Sequence, residues 1–174
     1  MVNLTDQERR AIVHDLALDL VEHMGATEPP IWVENLLKDP PSLIAEELNL
    51  AEALAWVLEE LYNPTQGDLL APQDLPLAER RFTLALELFE ALTRQLLHRL
   101  HGLSRLLIPD IRPYGDYFAR VLLAPDPMVE RYRKGGRPFE RFAETFLIPR
   151  RVASLRWREP LLPRGQQRLD FSLS

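Results

Sequence analysis

The stretch Arg80–Leu92, RRFTLALELFEAL, decides the fold that the sequence predicts. Its apolar residues recur every three or four positions, which is the spacing of an α-helix. Apolar residues continue beyond it and cover most of the circumference of the helix, and a helix of that kind belongs at the centre of a domain. The sequence therefore predicts a long central helix from Leu77 to about His101, around which the other elements pack.

The segments around this helix also have helical patterns and are separated by prolines. The sequence TDQE at Thr5–Glu8 is typical of a capping box, and the apolar stripe that follows it ends at Gly25. A short helix bracketed by prolines is predicted within Glu28–Pro41. Further helices are predicted at Ser42–Tyr62, about Tyr114–Leu123 and about Pro127–Arg133, with a helix-turn-helix at Pro138–Glu159. Because Asp68–Leu70 is the one candidate for a very short strand, we expect a mainly α fold with at most a vestigial short strand pair.

The composition fits one compact domain. A chain of 174 residues with 46% hydrophobic residues is long enough for one sizeable core, so we expect a single domain over residues 1–160 and an arm over residues 161–174. The start, MVNLTDQERR, lacks the features of a secretory signal, and no apolar stretch approaches the roughly 20 residues of a membrane helix. The absence of cysteine excludes disulfides and thiolate metal sites. We expect a cytoplasmic protein that does not act at a membrane.

Charge is distributed unevenly along the chain. The net charge is −5, but Arg131–Arg168 contains eleven Arg or Lys residues and three acids, a net charge of +8, so the rest of the chain carries −13. A basic segment of this kind attracts nucleic acid or an acidic partner. Attraction between the two parts of the same chain explains the pattern equally well.

Two motifs, in this order and spacing, resemble those of a known family. They are RRFTLA at Arg80–Ala85 and FARVLLAP at Phe118–Pro125. In the ImmA/IrrE family of zinc metallopeptidase-like proteins, the core motif is approximately R-R-F-T-x-A-H-E-x-G-H, and a later segment ends F-A-x-x-L-L-x-P. The resemblance covers Arg80–Pro125 well and the flanks loosely. It implies a zincin-like domain. Members of the family cleave or antagonise phage-type and stress-response repressors, so the resemblance also implies a function directed at proteins of that kind.

At the metal-binding positions the chain departs from the family. In H-E-x-x-H, two histidines one helical turn apart bind zinc, and the glutamate between them deprotonates the metal-bound water. This chain has Leu86 and Glu90 at the histidine positions and keeps only the glutamate equivalent, Glu87. The positions that match the family's third ligand, an acid, hold Arg112 and Tyr114. We therefore expect a degenerate zincin-like domain with no metal, no other cofactor and no peptidase activity.

The position of the motif's glycine also differs. It holds Phe89, which together with Leu86 places two large apolar side chains on the helix face that carries the ligands in the family. Burial of each side chain contributes roughly 1.5–3 kcal/mol. We therefore predict that the former cleft is filled by core side chains.

Two pairs of side chains leave metal binding open as an alternative. Glu87 and Glu90 are three positions apart on one helix, and His98 and His101 have the same spacing. Glu90 also has Arg94 four positions later as an ion-pair partner, and the histidines have no nearby acid in the pattern, so structural roles are favoured. A hydrolase with rearranged metal ligands is the third of three hypotheses.

The C-terminal helix-turn-helix supports the second hypothesis, a DNA-binding regulator. Arg150, Arg151, Arg156 and Arg158 lie on or near its second helix, where they would contact DNA or a partner protein. We expect the apolar residues of these two helices to be mostly core, namely Phe139, Phe142, Phe146, Val152, Leu155 and Trp157. The first hypothesis is therefore a catalytically inactive peptidase-like protein that binds another protein. The resemblance implies that this partner is a transcription regulator or a toxin–antitoxin-type component.

Overall fold

The computed structural model describes residues 5–38, 76–96 and 112–162. Over these residues the protein consists of seven α-helices and one 3-10 turn, without a strand, so the predicted mainly α class is confirmed. The helices are α1 (Asp6–His23), α2 (Val33–Lys38), α3 (Leu77–Leu96), α4 (Arg112–Leu123), α5 (Asp126–Lys134), α6 (Phe142–Phe146) and α7 (Arg150–Arg158), and the 3-10 turn spans Phe139–Arg141. None of the helices in these ranges is long and apolar enough to cross a membrane. The predicted helix at Ser42–Tyr62, the strand at Asp68–Leu70 and the arm beyond residue 162 lie outside the described residues.

α1 begins with the predicted capping box. The backbone N–H of Glu8 donates to Thr5 Oγ1 at 3.2 Å, and the Glu8 carboxylate accepts from the backbone N–H of Thr5 at 2.7 Å. Two backbone donors at the start of the helix are thereby satisfied. The chain leaves the helix through Gly25, whose φ of 63° is left-handed. The predicted apolar stripe of α1, including Leu16 and Leu20, is buried.

α4 is the central helix of the described ranges, since it packs against both α1 and α3. Its side chains from Tyr117 to Leu123 are buried except for Arg120. α3, for which the central position was predicted, contacts both α2 and α4 within the described residues, and its central position in the whole chain stays a prediction. α3 is buried along one face, while Leu86 is half-buried and Glu90 is exposed.

A glycine allows α3 and α4 to approach closely. A Cβ atom at Gly115 of α4 would lie 3.1 Å from Cδ1 of Phe89 on α3. The ring of Phe118, three residues along α4, lies 5.0 Å from the ring of Phe89 between centroids. The two helices therefore meet through Phe89, in a space that a larger residue at position 115 would occupy.

The C-terminal helices pack around a cluster of aromatic side chains. The ring of Tyr132 on α5 lies 5.3 Å from Phe142 and 5.8 Å from Phe146 of α6. The ring of Trp157 on α7 lies 5.3 Å from Phe142. α6 ends at Phe146, and the left-handed φ of 49° at the next residue, Leu147, redirects the chain into α7. The predicted helix, turn and helix are present, with a first helix of 5 residues.

Candidate functional site

The apolar residues at the motif positions on α3 face α4. Phe89 is 1% exposed and packs on Phe118, as predicted. Leu86 is half-buried, and its Cδ2 atom lies 3.9 Å from the position that a Cβ atom of Gly115 would take. The predicted burial is therefore confirmed for Phe89 and in part for Leu86, and the filling of a former cleft stays a prediction.

The acidic residues of the motif are not isolated. Glu87 is half-buried and Glu90 is exposed, and each interacts with another group. Within the ranges that the structure describes, no group of three or more His, Asp or Glu side chains is arranged to hold a metal ion. The other predicted metal-binding pair, His98 and His101, lies outside those ranges.

The two positions that the sequence analysis aligned with the family's third ligand are at the start of α4. Arg112 is exposed, whereas Tyr114 is buried and its hydroxyl donates to Asp6 Oδ1 at 2.7 Å. This hydrogen bond raises the pKa of Tyr114 and lowers the pKa of Asp6. Tyr114 therefore connects α4 to the first turn of α1.

Arg81, in the RRF sequence that precedes the motif, is a buried structural residue. Its guanidinium donates to three backbone carbonyls, which belong to Ile31, Phe146 and Leu147. Its Nε lies 3.8 Å from the carboxylate of Glu34. Arg81 thus satisfies carbonyls at the end of α6 and connects α3 to the segment before α2. No local sequence pattern marks it for this role.

Arg156 is also buried, which contradicts its prediction as a residue that contacts DNA or a partner. Its Nε donates to the backbone carbonyl of Ala124 at 2.8 Å, and its Nη2 binds the carboxylate of Asp126. Its Nη1 lies 3.5 Å from the carboxylate of Glu159. Sequence reasoning missed this role because the partner Asp126 lies on another helix.

Asp126 is the centre of a buried polar network that joins three helices and the C-terminal chain. Its Oδ2 lies 3.2 Å from Nε2 of His14 on α1 and accepts from the backbone N–H of Leu162 at 2.8 Å. Burial opposes ionisation of Asp126, but the close approach of His14 and the charge of Arg156 outweigh it and hold the pKa of Asp126 below its ordinary value. Nearby, burial raises the pKa of Tyr117 to about 12. This network is closed to solvent and is structural.

The other three predicted arginines lie on the exposed side of α7. Arg151 pairs with Glu79 of α3 at 2.7 Å and lies over the ring of Phe82, 5.1 Å from its centroid. Arg150 and Arg158 are exposed and form no ion pair with another residue of the described ranges. These three side chains therefore lie at the surface, whereas Arg156 does not.

A cleft of ≈ 270 Å³ lies between the loop after α1 and the C-terminal end of α5. Its lining includes the cations Arg131 and Arg137, the carboxylate of Glu28 and the side chain of Tyr132. Arg131 donates to the backbone carbonyl of Thr27 and so helps to join the loop to α5. The lining therefore carries two cations and one carboxylate.

Comparison with known proteins gives no further assignment. No protein-family model, no curated protein and no solved structure matches the chain.

Proposed function

We propose that this protein is a non-catalytic binding module that acts in the cytoplasm by binding another protein through the exposed side of α7. The observation that carries the proposal is the position of Leu155, which was predicted to be core but is 53% exposed. Arg151 precedes it by one helical turn, and Arg158 follows it on the same stripe of the helix. An apolar residue between two cations is an arrangement that suits a protein interface with an apolar centre and a polar rim.

Contact with a partner would remove Leu155 from water. Complete burial of a leucine side chain contributes about 1.5–3 kcal/mol relative to full exposure, and about half of that gain remains at this position. Arginine is enriched in protein interfaces although charged residues in general are depleted there. Because Arg150 and Arg158 form no ion pair within the described residues, they can meet carboxylates of a partner without breaking such a pair.

The motif positions on α3 support a role without catalysis. Leu86 offers no lone pair to a metal, and the ring of Phe89 occupies the space beside α4 where the family has a glycine. Glu87 and Glu90 already interact with other groups. A hydrolase with rearranged ligands therefore has less support than a binding module. The partner that the ImmA/IrrE resemblance implies is a transcription regulator or a toxin–antitoxin-type component.

A DNA-binding regulator is the second candidate, favoured by the helix-turn-helix layout and by the exposed Arg150. Two findings weaken it. Arg156 is buried, and Arg151 is paired with Glu79. The charge of −13 outside the basic segment also repels a long duplex.

Two binding experiments distinguish these candidates. In a shift assay with mixed-sequence duplex DNA at about 150 mM salt, where electrostatic reach is about 8 Å, we expect no submicromolar complex. In affinity capture from a cell extract, we expect a protein that is retained by the wild type and by Lys134→Ala but lost with Leu155→Ser. Lys134 is a suitable control because it is exposed on another helix, where it pairs with Glu130.

The DNA candidate would replace this proposal under one result. That result is a tight DNA complex that weakens linearly in log–log form with salt and is lost in the double variant Arg150→Ala, Arg158→Ala. Capture of the same proteins by Leu155→Ser and by the wild type would show that α7 is not the binding surface.

A further inference from the structure

The cleft between the loop after α1 and the C-terminal end of α5 has the dimensions of a site for a small molecule. Its volume of ≈ 270 Å³ is slightly below the range of about 300–1,000 Å³ in which drug-sized ligands bind. Met128, Arg131 and Tyr132 line it from one face of α5, at helical spacings of three and four residues. The cleft therefore has room for a molecule smaller than a typical drug.

The apolar wall of the cleft is fixed by packing. Tyr132 is buried, and its hydroxyl donates to the backbone carbonyl of Pro138 at 2.9 Å. Its ring lies 5.3 Å from the ring of Phe142 and 5.8 Å from the ring of Phe146 between centroids. Met128, which lines the same cleft, is also buried. A ligand that contacts this wall does not have to order it, and binding is more favourable for that reason.

Arg137 gives the cleft a guanidinium with open donors. Its guanidinium carbon lies 5.6 Å from the centroid of the Tyr132 ring, and its side chain forms no ion pair within the described ranges. A guanidinium over a ring still presents N–H groups at its edge, where two parallel donors match a carboxylate. Arg131 differs, because it already donates to the backbone carbonyl of Thr27. The donors of Arg137 are therefore the ones that an anionic group of a ligand would meet.

Glu28 places a carboxylate in the same cleft. It is exposed and forms no ion pair with another described residue, although Arg131 and Arg137 line the same space. A carboxylate at this position repels a phosphate group, which carries about −1.5 to −2 charges, and attracts an ammonium group. The cleft therefore offers a partner of opposite charge to each end of a zwitterion.

We infer that this cleft binds a free α-amino acid with an apolar side chain. The guanidinium of Arg137 pairs with the carboxylate of the ligand, and the carboxylate of Glu28 pairs with its ammonium group. Pro29, Met128 and the ring of Tyr132 contact the apolar side chain of the ligand. The site shares no residue with the exposed stripe of α7, so this inference goes beyond the proposed function and does not depend on it.

The opposite charges distinguish a free amino acid from related molecules. A residue at one end of a peptide keeps only one of the two charges. A carboxylic acid without an amino group leaves Glu28 without a partner, and an amine without a carboxylate leaves Arg137 without one. Glycine has both charges but no side chain for the apolar wall. Each of these molecules therefore serves as a control.

An NMR titration of the isotope-labelled full chain at about 150 mM salt provides the test. The probes are L-leucine, L-methionine and L-phenylalanine. The control molecules are glycine, isocaproate (leucine without its amino group), isoamylamine (leucine without its carboxylate) and inorganic phosphate. We expect at least one of the three probes to shift the amide resonance of Gly135, which lines the cleft, in a saturable manner, while the buried Gly115 of α4 does not respond. All four control molecules should bind about tenfold more weakly or less.

Variants of the protein identify the two charge contacts. Arg137→Gln and Glu28→Gln should each weaken binding of the amino acid about tenfold. Arg141→Gln and Glu140→Gln are the matched controls, because they change charge in the same way at exposed positions outside the lining, and they should leave the affinity unchanged. Thermal denaturation shows whether each variant is folded. If Arg137→Gln is not folded, Glu28→Gln and the series of probes carry the test.

Three results would overturn the inference. The first is the absence of a saturable shift of Gly135 with all three probes at concentrations up to about 10 mM, well above a dissociation constant of about 1 mM. The second is tighter binding of phosphate than of the amino acids, strengthened by Glu28→Gln, which would make the cleft an anion site. The third is an equal loss of affinity in Arg141→Gln and Glu140→Gln, which would indicate a general effect of charge. The capture experiment with Leu155→Ser decides the proposed function separately.

Discussion

At the scale of one residue, position 86 distinguishes a packing role from a metal-binding role. The predicted resemblance to the ImmA/IrrE zinc peptidases would align this position with a histidine whose lone pair binds the metal. Here the position holds Leu86, half-buried beside Gly115 and one position before Glu87. A histidine introduced at this site would restore one ligand of the motif but would lie against apolar atoms of α4.

We expect Leu86→His to lower the free energy of unfolding by about 1 kcal/mol, measured by urea denaturation. This is the lower end of the cost of a poorly satisfied polar group, because the site is only half-buried. Zinc should not restore the lost stability, since Glu90 stands at the second histidine position. Leu86→Met, which keeps volume and apolarity, should leave the unfolding midpoint nearly unchanged. Unaltered stability of Leu86→His would indicate that position 86 lies in an open cleft. About one tightly held zinc per chain of the wild-type protein, lost on changing Glu87 or Glu90, would indicate a metal site in that cleft.

At the scale of elements, the contact between α3 and α4 depends on a residue without a side chain. Gly115 lies in the first half of α4, where glycine costs helix stability of about 1 kcal/mol relative to alanine. The structure shows the compensation, because Phe89 is fully buried against Phe118 and occupies the space above the glycine. A larger residue at this position would push the two helices apart or displace a ring that has no free space.

Gly115→Val should therefore destabilise the protein by about 1–3 kcal/mol, the usual cost of overpacking a core. Thermal and urea denaturation measure it. The neighbouring variant Asp116→Val is the control for the β-branched side chain, because Asp116 is exposed on the same helix. Phe89→Leu should reduce the cost of Gly115→Val, which a double-mutant cycle detects as a coupling between the two positions. Equal costs at positions 115 and 116 would show that the helices are not in close contact there.

Elements whose causes are local could be predicted from the sequence, and contacts between distant segments could not. The capping box of α1 was predicted because Thr5 and Glu8 are three residues apart and satisfy each other. The apolar and basic spacing of α7 likewise predicted a helix with exposed arginines. The burial of Arg156 was missed because it depends on Asp126, 30 residues earlier in the chain. Burial of one cation among several cannot be recognised without knowing where the buried acid lies.

At the scale of the whole molecule, the Asp126 network connects the C-terminal helices to α1. Asp126 at the start of α5 lies beside His14 of α1, binds Arg156 of α7 and accepts from the backbone of Leu162. The basic segment and the rest of the chain are therefore joined by a buried acid as well as by apolar contacts. Because Arg156 holds α7 in place, the exposed stripe that includes Leu155 depends on this network for its orientation.

The network makes stability depend on pH. The pKa of Asp126 is lowered in the folded protein, so its stabilising contribution is complete above the unfolded pKa of about 3.9 and is lost as pH falls toward the folded pKa. We therefore expect the urea midpoint of the wild type to fall steeply below about pH 4. Asp126→Asn should lose about 3–5 kcal/mol at neutral pH, because Arg156 remains buried without its carboxylate. The loss of stability in acid should be correspondingly shallower in this variant.

A second variant distinguishes the buried charge from a general loss of packing. In the double variant Asp126→Asn, Arg156→Met, no unpaired cation remains in the core, and replacing both members of a buried pair is often close to neutral. The double variant should therefore recover part of the stability that Asp126→Asn loses. Its urea midpoint should depend on pH as weakly as that of Asp126→Asn. Asp116→Asn, an exposed carboxylate on α4, should behave like the wild type. If the double variant is less stable than Asp126→Asn, Arg156 acts through the carbonyl of Ala124 and through packing, and the pair with Asp126 is not what holds α7 against the rest of the molecule.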